Sequence, residues 1–193
     1  YIGNDTAGRT LNHNLGVAPE MMWIKCRSAA FAWIVYHSGI GHGKSLYLAD
    51  DSAESGNIYS FNNTAPSSTV ITLGQDDKVN GSSSRTYVAY LFATLAGISK
   101  VGSFSHTNGS STDVDCGFSS GSAFVIVKRT DSTGDWYVWD STRGIVSGND
   151  PYLALNSSAA EVTNTDYIDT LNSGFQMSSS FITGTYIFYA IAA

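Results

Sequence analysis

Carboxylates, histidines and one glycine-rich loop are the residues of this chain whose types and spacing could do chemistry. The carboxylates fall in close pairs: Asp50-Asp51, Asp76-Asp77, Asp113-x-Asp115 and Asp131-x-x-x-Asp135, all in loop-like sequence. Paired carboxylates can run glycoside hydrolysis or hold Ca²⁺ through their oxygens. No string matches an EF-hand loop, and Glu20, Glu54 and Glu161 lie outside any aromatic-rich stretch that would line a sugar cleft. Asx turns account for loop Asp residues without a ligand. The sequence requires no cofactor. The cation its loops would suit is Ca²⁺, with Asp76 and Asp77 as the metal candidates.

The run Ser38-Gly39-Ile40-Gly41-His42-Gly43-Lys44-Ser45 is one residue short of a phosphate-binding loop. Ser38 stands where that motif has Gly, and Leu46-Tyr47-Leu48 behind it reads as a strand, where phosphate needs a helix N-terminus. A glycine-rich hairpin loop is expected. His37 and His42 are close in sequence while His13 and His106 are distant. Zinc needs several convergent ligands, so solvated strand-edge histidines are expected. No G-x-S-x-G elbow marks a nucleophile. Cys26 and Cys116 form no CxxC pair; two separate buried thiols are expected, with a disulfide as the alternative. Sequons at Asn4, Asn62, Asn80, Asn108 and Asn156 reflect an Asn/Ser/Thr-rich composition.

The aromatic residues carry the remaining signal. Trp23, Trp33, Trp136 and Trp139, with eleven Tyr, exceed what a small core needs. Strand alternation puts Trp33, Val35 and His37 on one face and Ile34 and Tyr36 on the other. Both faces therefore carry a large ring, and one is available to stack on a flat sugar or a partner. Trp33 and Trp136 occupy matching positions and read as core. Tyr36 and Trp139 differ in type between those positions and read as exposed. With Tyr137 and Asp140 they are the candidate ligand-binding residues.

The elements that must position these side chains follow from an internal repeat. A shift of 103 positions lays Trp33-Ile34-Val35-Tyr36-His37-Ser38 on Trp136-Tyr137-Val138-Trp139-Asp140-Ser141, and Tyr1 on Phe104. With small drifts, the segment at 46–53 meets 152–159 and Thr86–Ala93 meets Thr185–Ala192. Two divergent copies of ~95 residues are expected, about 1–99 and 100–193. Each reads as roughly five strands: 21–27, 33–38, 45–49, 70–73 and 87–92 in the first, with 124–129, 136–141, 152–155, 174–177 and 186–191 in the second. Residues 51–60 and 159–171 could hold a helical turn. A lone sheet cannot cover its apolar face, so the copies are expected to share one core as a single β-sandwich domain spanning 1–193.

Composition agrees. Charged residues are 13% of the chain, against a usual ~25%. Ser, Thr and Asn make up about three residues in ten. They are poor helix formers. A hydrophobic fraction of 42% excludes disorder, and a net charge of −6 argues against nucleic acid as a partner. No apolar run approaches the ~20 residues of a membrane helix, and residues 1–25 lack the pattern of a signal peptide. The chain opens at Tyr1 without Met, as a fragment or processed product would. An all-β extracellular protein is the class that remains.

His13-Asn14-Leu15-Gly16-x-Ala18-Pro19-Glu20-Met21, Phe124-Val125-Ile126-Val127-Lys128-Arg129-Thr130 and the paired final strands at Thr86-Tyr87-Val88 and Thr185-Tyr186-Ile187 carry a family resemblance over essentially the whole chain. The chain resembles a two-repeat domain of unknown function from the C-terminal regions of bacteriophage tail-fibre and virion appendage proteins. It departs from that family at Cys26, where a basic residue is usual. The resemblance implies an extracellular virion module with a lectin- or concanavalin-like β-sandwich, assembled as a homo-oligomer, by resemblance a trimer. Its partner would be a host cell-surface glycan or receptor. The function expected is non-enzymatic receptor or carbohydrate binding. A structural decoration or spacer domain is the alternative, and a polysaccharide depolymerase a third reading.

Overall fold

The computed structural model describes all 193 residues. The chain is all-β: fifteen strands in antiparallel sheets, with two single-turn helices and one 3₁₀ turn. It divides into two compact units, Tyr1–Ala93 and Thr94–Ala193. No helix is long and apolar enough to cross a membrane.

Unit 1 holds β1 (Arg9–Asn12), β2 (Met21–Cys26), β3 (Ile34–His37), β4 (Lys44–Tyr47), β5 (Ser55–Gly56), β6 (Val70–Leu73) and β7 (Tyr87–Phe92), with helices α1 (Ile58–Phe61) and α2 (Asp77–Asn80). Its large sheet runs β5-β4-β3-β2-β7, and β1 pairs with β6 apart from it. Met22, Ile24, Cys26, Ile34 and Tyr36 point from the large sheet into a cluster with Phe61 of α1, Ile71 and Leu73 of β6, and Val79 of α2. The period-2 spacing of the β2 residues puts one apolar row on that side. Each fully buried side chain of this kind contributes roughly 1.5–3 kcal/mol.

Unit 2 holds β8 (Ser99–His106), β9 (Thr112–Asp115), β10 (Ser122–Arg129), β11 (Trp136–Asp140), β12 (Leu153–Ala154), β13 (Ile168–Leu171), β14 (Gly174–Met177) and β15 (Gly184–Ala192). Its large sheet runs β12-β11-β10-β15-β8, and a small one runs β13-β14-β9. Val125, Val127, Tyr137, Trp139, Tyr186 and Phe188 pack against Val114, Cys116, Ile168, Phe175 and Met177. Both cysteines are buried and free, and burial pushes the Cys116 thiol up to about 12, well out of its reactive range.

All ten strands expected from sequence are present, most within two residues of their expected bounds. Five more were not expected: β1, β5, β8, β9 and β13. The turn at 51–60 contains α1, whereas 159–171 contains no helix and ends in β13. Each unit has its own cluster of buried side chains. In each unit the small-sheet strands cover one apolar face of the large sheet. The glycine-rich run at 38–45 forms a 3₁₀ turn over Ser38–Ile40 and then enters β4, with no helix N-terminus to receive phosphate.

Candidate functional site

Tyr36 lies on the buried side of β3, 5% exposed, with its ring edge-on to Phe61 at 5.4 Å. Trp139 is fully buried and Tyr137 is 7% exposed, their rings stacked at 5.6 Å. The expectation that Tyr36 and Trp139 are exposed is therefore corrected, and Tyr137 falls with them. All three point toward the small-sheet layer of their unit, where large rings fill volume that would otherwise be a cavity. Asp140 ends β11 as a turn cap. Its Oδ1 accepts from the amides of Thr142 at 3.0 Å and Arg143 at 2.9 Å, and Oδ2 pairs with the Arg143 guanidinium.

Asp76 and Asp77 are likewise committed to structure. Asp76 caps α2, accepting at Oδ1 from the Lys78 amide at 2.9 Å and at Oδ2 from Ser60 Oγ at 2.7 Å and Asn57 Nδ2 at 3.2 Å. Burial opposes its charge, but these hydrogen bonds outweigh burial and hold the carboxyl below its ordinary range. Asp77 pairs instead with Arg85. No cluster of three or more His, Cys, Asp or Glu is placed to hold a metal ion. Two histidines expected in solvent are buried. His37 Nδ1 accepts from the Gly39 amide at 3.0 Å and caps the 3₁₀ turn. His106 meets Thr112 Oγ1 at 2.9 Å, and burial lowers its proton affinity.

The exposed aromatic surface lies on the opposite face of the unit 1 large sheet. Cross-strand pairing sets Trp23 of β2 directly between Tyr90 of β7 and Val35 of β3. Trp33 precedes β3 on the same face, and its carbonyl accepts from the Leu48 amide at 3.2 Å. Trp33 and Tyr90 stack at 6.1 Å with 29° between planes, and Trp23 tilts against Phe92 at 5.0 Å. Trp23, Trp33, Leu48, Tyr90 and Phe92 line an open cleft of about 270 Å³, and Tyr90 is 50% exposed. Further along this face Met21, Val35, His37 and Leu46 are all buried. The cleft is thus the accessible end of the face, with two near-parallel rings at its floor and wall.

Trp136 is core as expected, but Trp33, expected in the core with it, is half-exposed in the cleft; strand alternation put Trp33 and Tyr36 on opposite faces without saying which face stays open.

The family described as domain of unknown function DUF7483 matches residues 1–193, and the chain belongs to it. No curated protein and no solved structure matches the chain.

Proposed function

We propose that this DUF7483 protein is a non-enzymatic carbohydrate- or receptor-binding module of an extracellular appendage such as a bacteriophage tail fibre. In this reading its ligand surface is the aromatic cleft of unit 1. The observation that carries the reading is a pair of near-parallel rings on one sheet face, the exposed Tyr90 and the half-exposed Trp33. Aromatic faces of this kind stack on the apolar face of a sugar ring, and here the two rings are held against each other, Tyr90 by the pairing of β7 with β2 and Trp33 by the bond from the Leu48 amide to its carbonyl. The two units are, on the same reading, divergent copies of one lectin-like sandwich module. Their pairing orders support this, since β3-β2-β7 corresponds to β11-β10-β15 and β1-β6 to β9-β14. One site per chain would bind weakly, and a homo-oligomer such as a trimer would raise avidity without new contacts.

Titrating the chain with host cell-surface polysaccharide, chosen from a glycan array, tests the reading through tryptophan fluorescence. Trp33→Ala and Tyr90→Ala are each expected to weaken binding about tenfold, equivalent to ~1.4 kcal/mol, with the circular dichroism spectrum unchanged. Loss of binding in neither variant would move the site elsewhere, and release of new reducing ends would favour a depolymerase.

A further inference from the structure

After Arg143 the chain carries four acidic residues, Asp150, Glu161, Asp166 and Asp169, and no Lys or Arg. Three of the four act on one another in unit 2. The loop that ends at Asp150 lies along the segment 165–169, which leads into β13. The Asp150 amide donates to the Thr165 carbonyl at 2.8 Å, and the Gly148 amide lies against the Asp169 carboxylate. Gly148 turns there at a φ of 117°, a conformation that favours glycine.

Asp150 is the floor of this arrangement. The residue is fully buried. Its Oδ1 accepts from the Val146 amide at 2.7 Å. Its Oδ2 is buried without a hydrogen-bond partner, and so is the Thr165 hydroxyl. The Ile168 amide favours the charged carboxylate but does not reach hydrogen-bond geometry at Oδ2. The charged side chains that act most on Asp150 are Asp169 and then Asp166, both acidic. Arg143, the nearest basic residue in the sequence, is taken by Asp140 and Glu161. Asp169 is half-buried and Asp166 exposed, so the acidic side chains lead from the floor to solvent.

A buried carboxylate oxygen and a buried hydroxyl, both unpaired and under repulsion from like charge, are costly as they stand. Positive charge that several oxygens can share removes that cost. The donors are all oxygen, which favours a hard cation over zinc. Ca²⁺ takes roughly six to eight oxygens in flexible geometry, whereas Mg²⁺ demands a near-ideal octahedron and gives up water reluctantly.

We propose that Asp150, Thr165 and Asp169 form a Ca²⁺ site in unit 2. Asp150 Oδ2 and the Thr165 hydroxyl are the inner ligands, the Asp169 carboxylate and water complete the shell, and Asp166 attracts the ion from the solvent side. Bound there, the ion ties the loop before Asp150 to the start of β13. Two carboxylates with neutral oxygens make a weak site, with a Kd on the order of 10⁻⁴ to 10⁻³ M, the range of extracellular modules. The proposal is independent of the aromatic cleft and of any glycan.

The test strips the whole chain of divalent ions with a chelator and titrates it with CaCl₂ at about pH 7.5, by calorimetry and by melting temperature. One saturable site is expected, with a melting temperature that rises with Ca²⁺ concentration and binding of Mg²⁺ at least about tenfold weaker. Asp150→Asn is expected to abolish the calcium response. Thr165→Val and Asp169→Asn leave the buried carboxylate in place, and each is expected to weaken binding about tenfold or more. No saturable binding by the parent chain up to about 10 mM overturns the proposal. So does calcium binding unchanged in both Thr165→Val and Asp169→Asn. Equal affinity for Mg²⁺ overturns the assignment to Ca²⁺.

Discussion

Trp139→Ala is expected to destabilise unit 2 by roughly 3–5 kcal/mol, the range for emptying a buried large aromatic site. The indole is fully buried. It touches rings on several sides: Tyr137 at 5.6 Å, Tyr152 at 5.9 Å and Phe181 at 6.3 Å. These neighbours belong to a wider cluster in which Tyr167 also packs on Phe181, at 5.3 Å. Rings held by other rings relax poorly into a void, so the cavity term is expected at the upper end. A melting-temperature drop on the order of 10 °C follows for a chain of this size. Trp139→Phe separates packing from chemistry. The indole Nε1 is buried without a partner, so Phe gives up some volume but also removes an unsatisfied donor, and a loss well below that of Ala is expected. Urea unfolding of both variants checks this. A loss under about 1 kcal/mol for Trp139→Ala would mean the ring is not core. Glycan binding by folded Trp139→Ala should match the parent, because Tyr36, Tyr137 and Trp139 lie in cores rather than at the aromatic cleft.

The second large effect is a pH dependence centred on Asp150. Its residue is fully buried; Oδ1 accepts from the Val146 amide at 2.7 Å, and Oδ2 has no partner. Burial pushes the carboxyl up to about 6 from an ordinary 3.8, against the hydrogen bond from Val146, and Asp169 and Asp166 add repulsion. The folded chain therefore holds this proton to higher pH than the unfolded chain does. The group's contribution to stability is fully present below the ordinary value. It declines as pH rises through about 6 and is absent above that. The span corresponds to about 3 kcal/mol. Asp169 shifts the same way. His106 works in the opposite direction, since burial keeps it neutral and stability falls once pH drops below its ordinary 6.5. The whole-chain profile mixes these contributions, and Asp150→Asn isolates one of them. The stability difference between parent and variant should change by about 2–3 kcal/mol between about pH 7 and about pH 4.5, in favour of the parent at the acid end. A difference constant with pH would show that Asp150 stays ionised.

The strands most legible in the sequence were those whose two faces are both covered. β10 and β11 read as continuous apolar runs because residues of either parity are buried. The strands that escaped notice were the small-sheet and edge strands. β9 is Thr-Asp-Val-Asp with one buried residue, Val114, and β1 is Arg-Thr-Leu-Asn in alternating half-burial. Four residues with one apolar anchor carry too little pattern to stand out from a loop. Yet these short strands supply one side of each unit's cluster of buried side chains. The ligand surface was harder still. Alternation assigns Trp33 and Tyr36 to opposite faces, but which face is covered depends on α1, β6 and α2 packing over Tyr36, contacts remote in sequence. Asp76 escaped for a similar reason, since its partners Asn57 and Ser60 come from the other helix and cannot be read from the Asp-Asp pair.

The four tryptophans divide two and two. Trp136 and Trp139 are sealed inside unit 2, and Trp23 and Trp33 stand half-open on unit 1. Indole emission moves to longer wavelength as water reaches the ring, and tyrosines packed around an indole pass their excitation to it. The native chain thus emits in two colours, a blue component fed by Tyr137 and Tyr152 and a redder one from the cleft. Loosening of one unit shifts the first, and a solute settling on the other dims the second. The molecule carries its own label for each half without any dye attached.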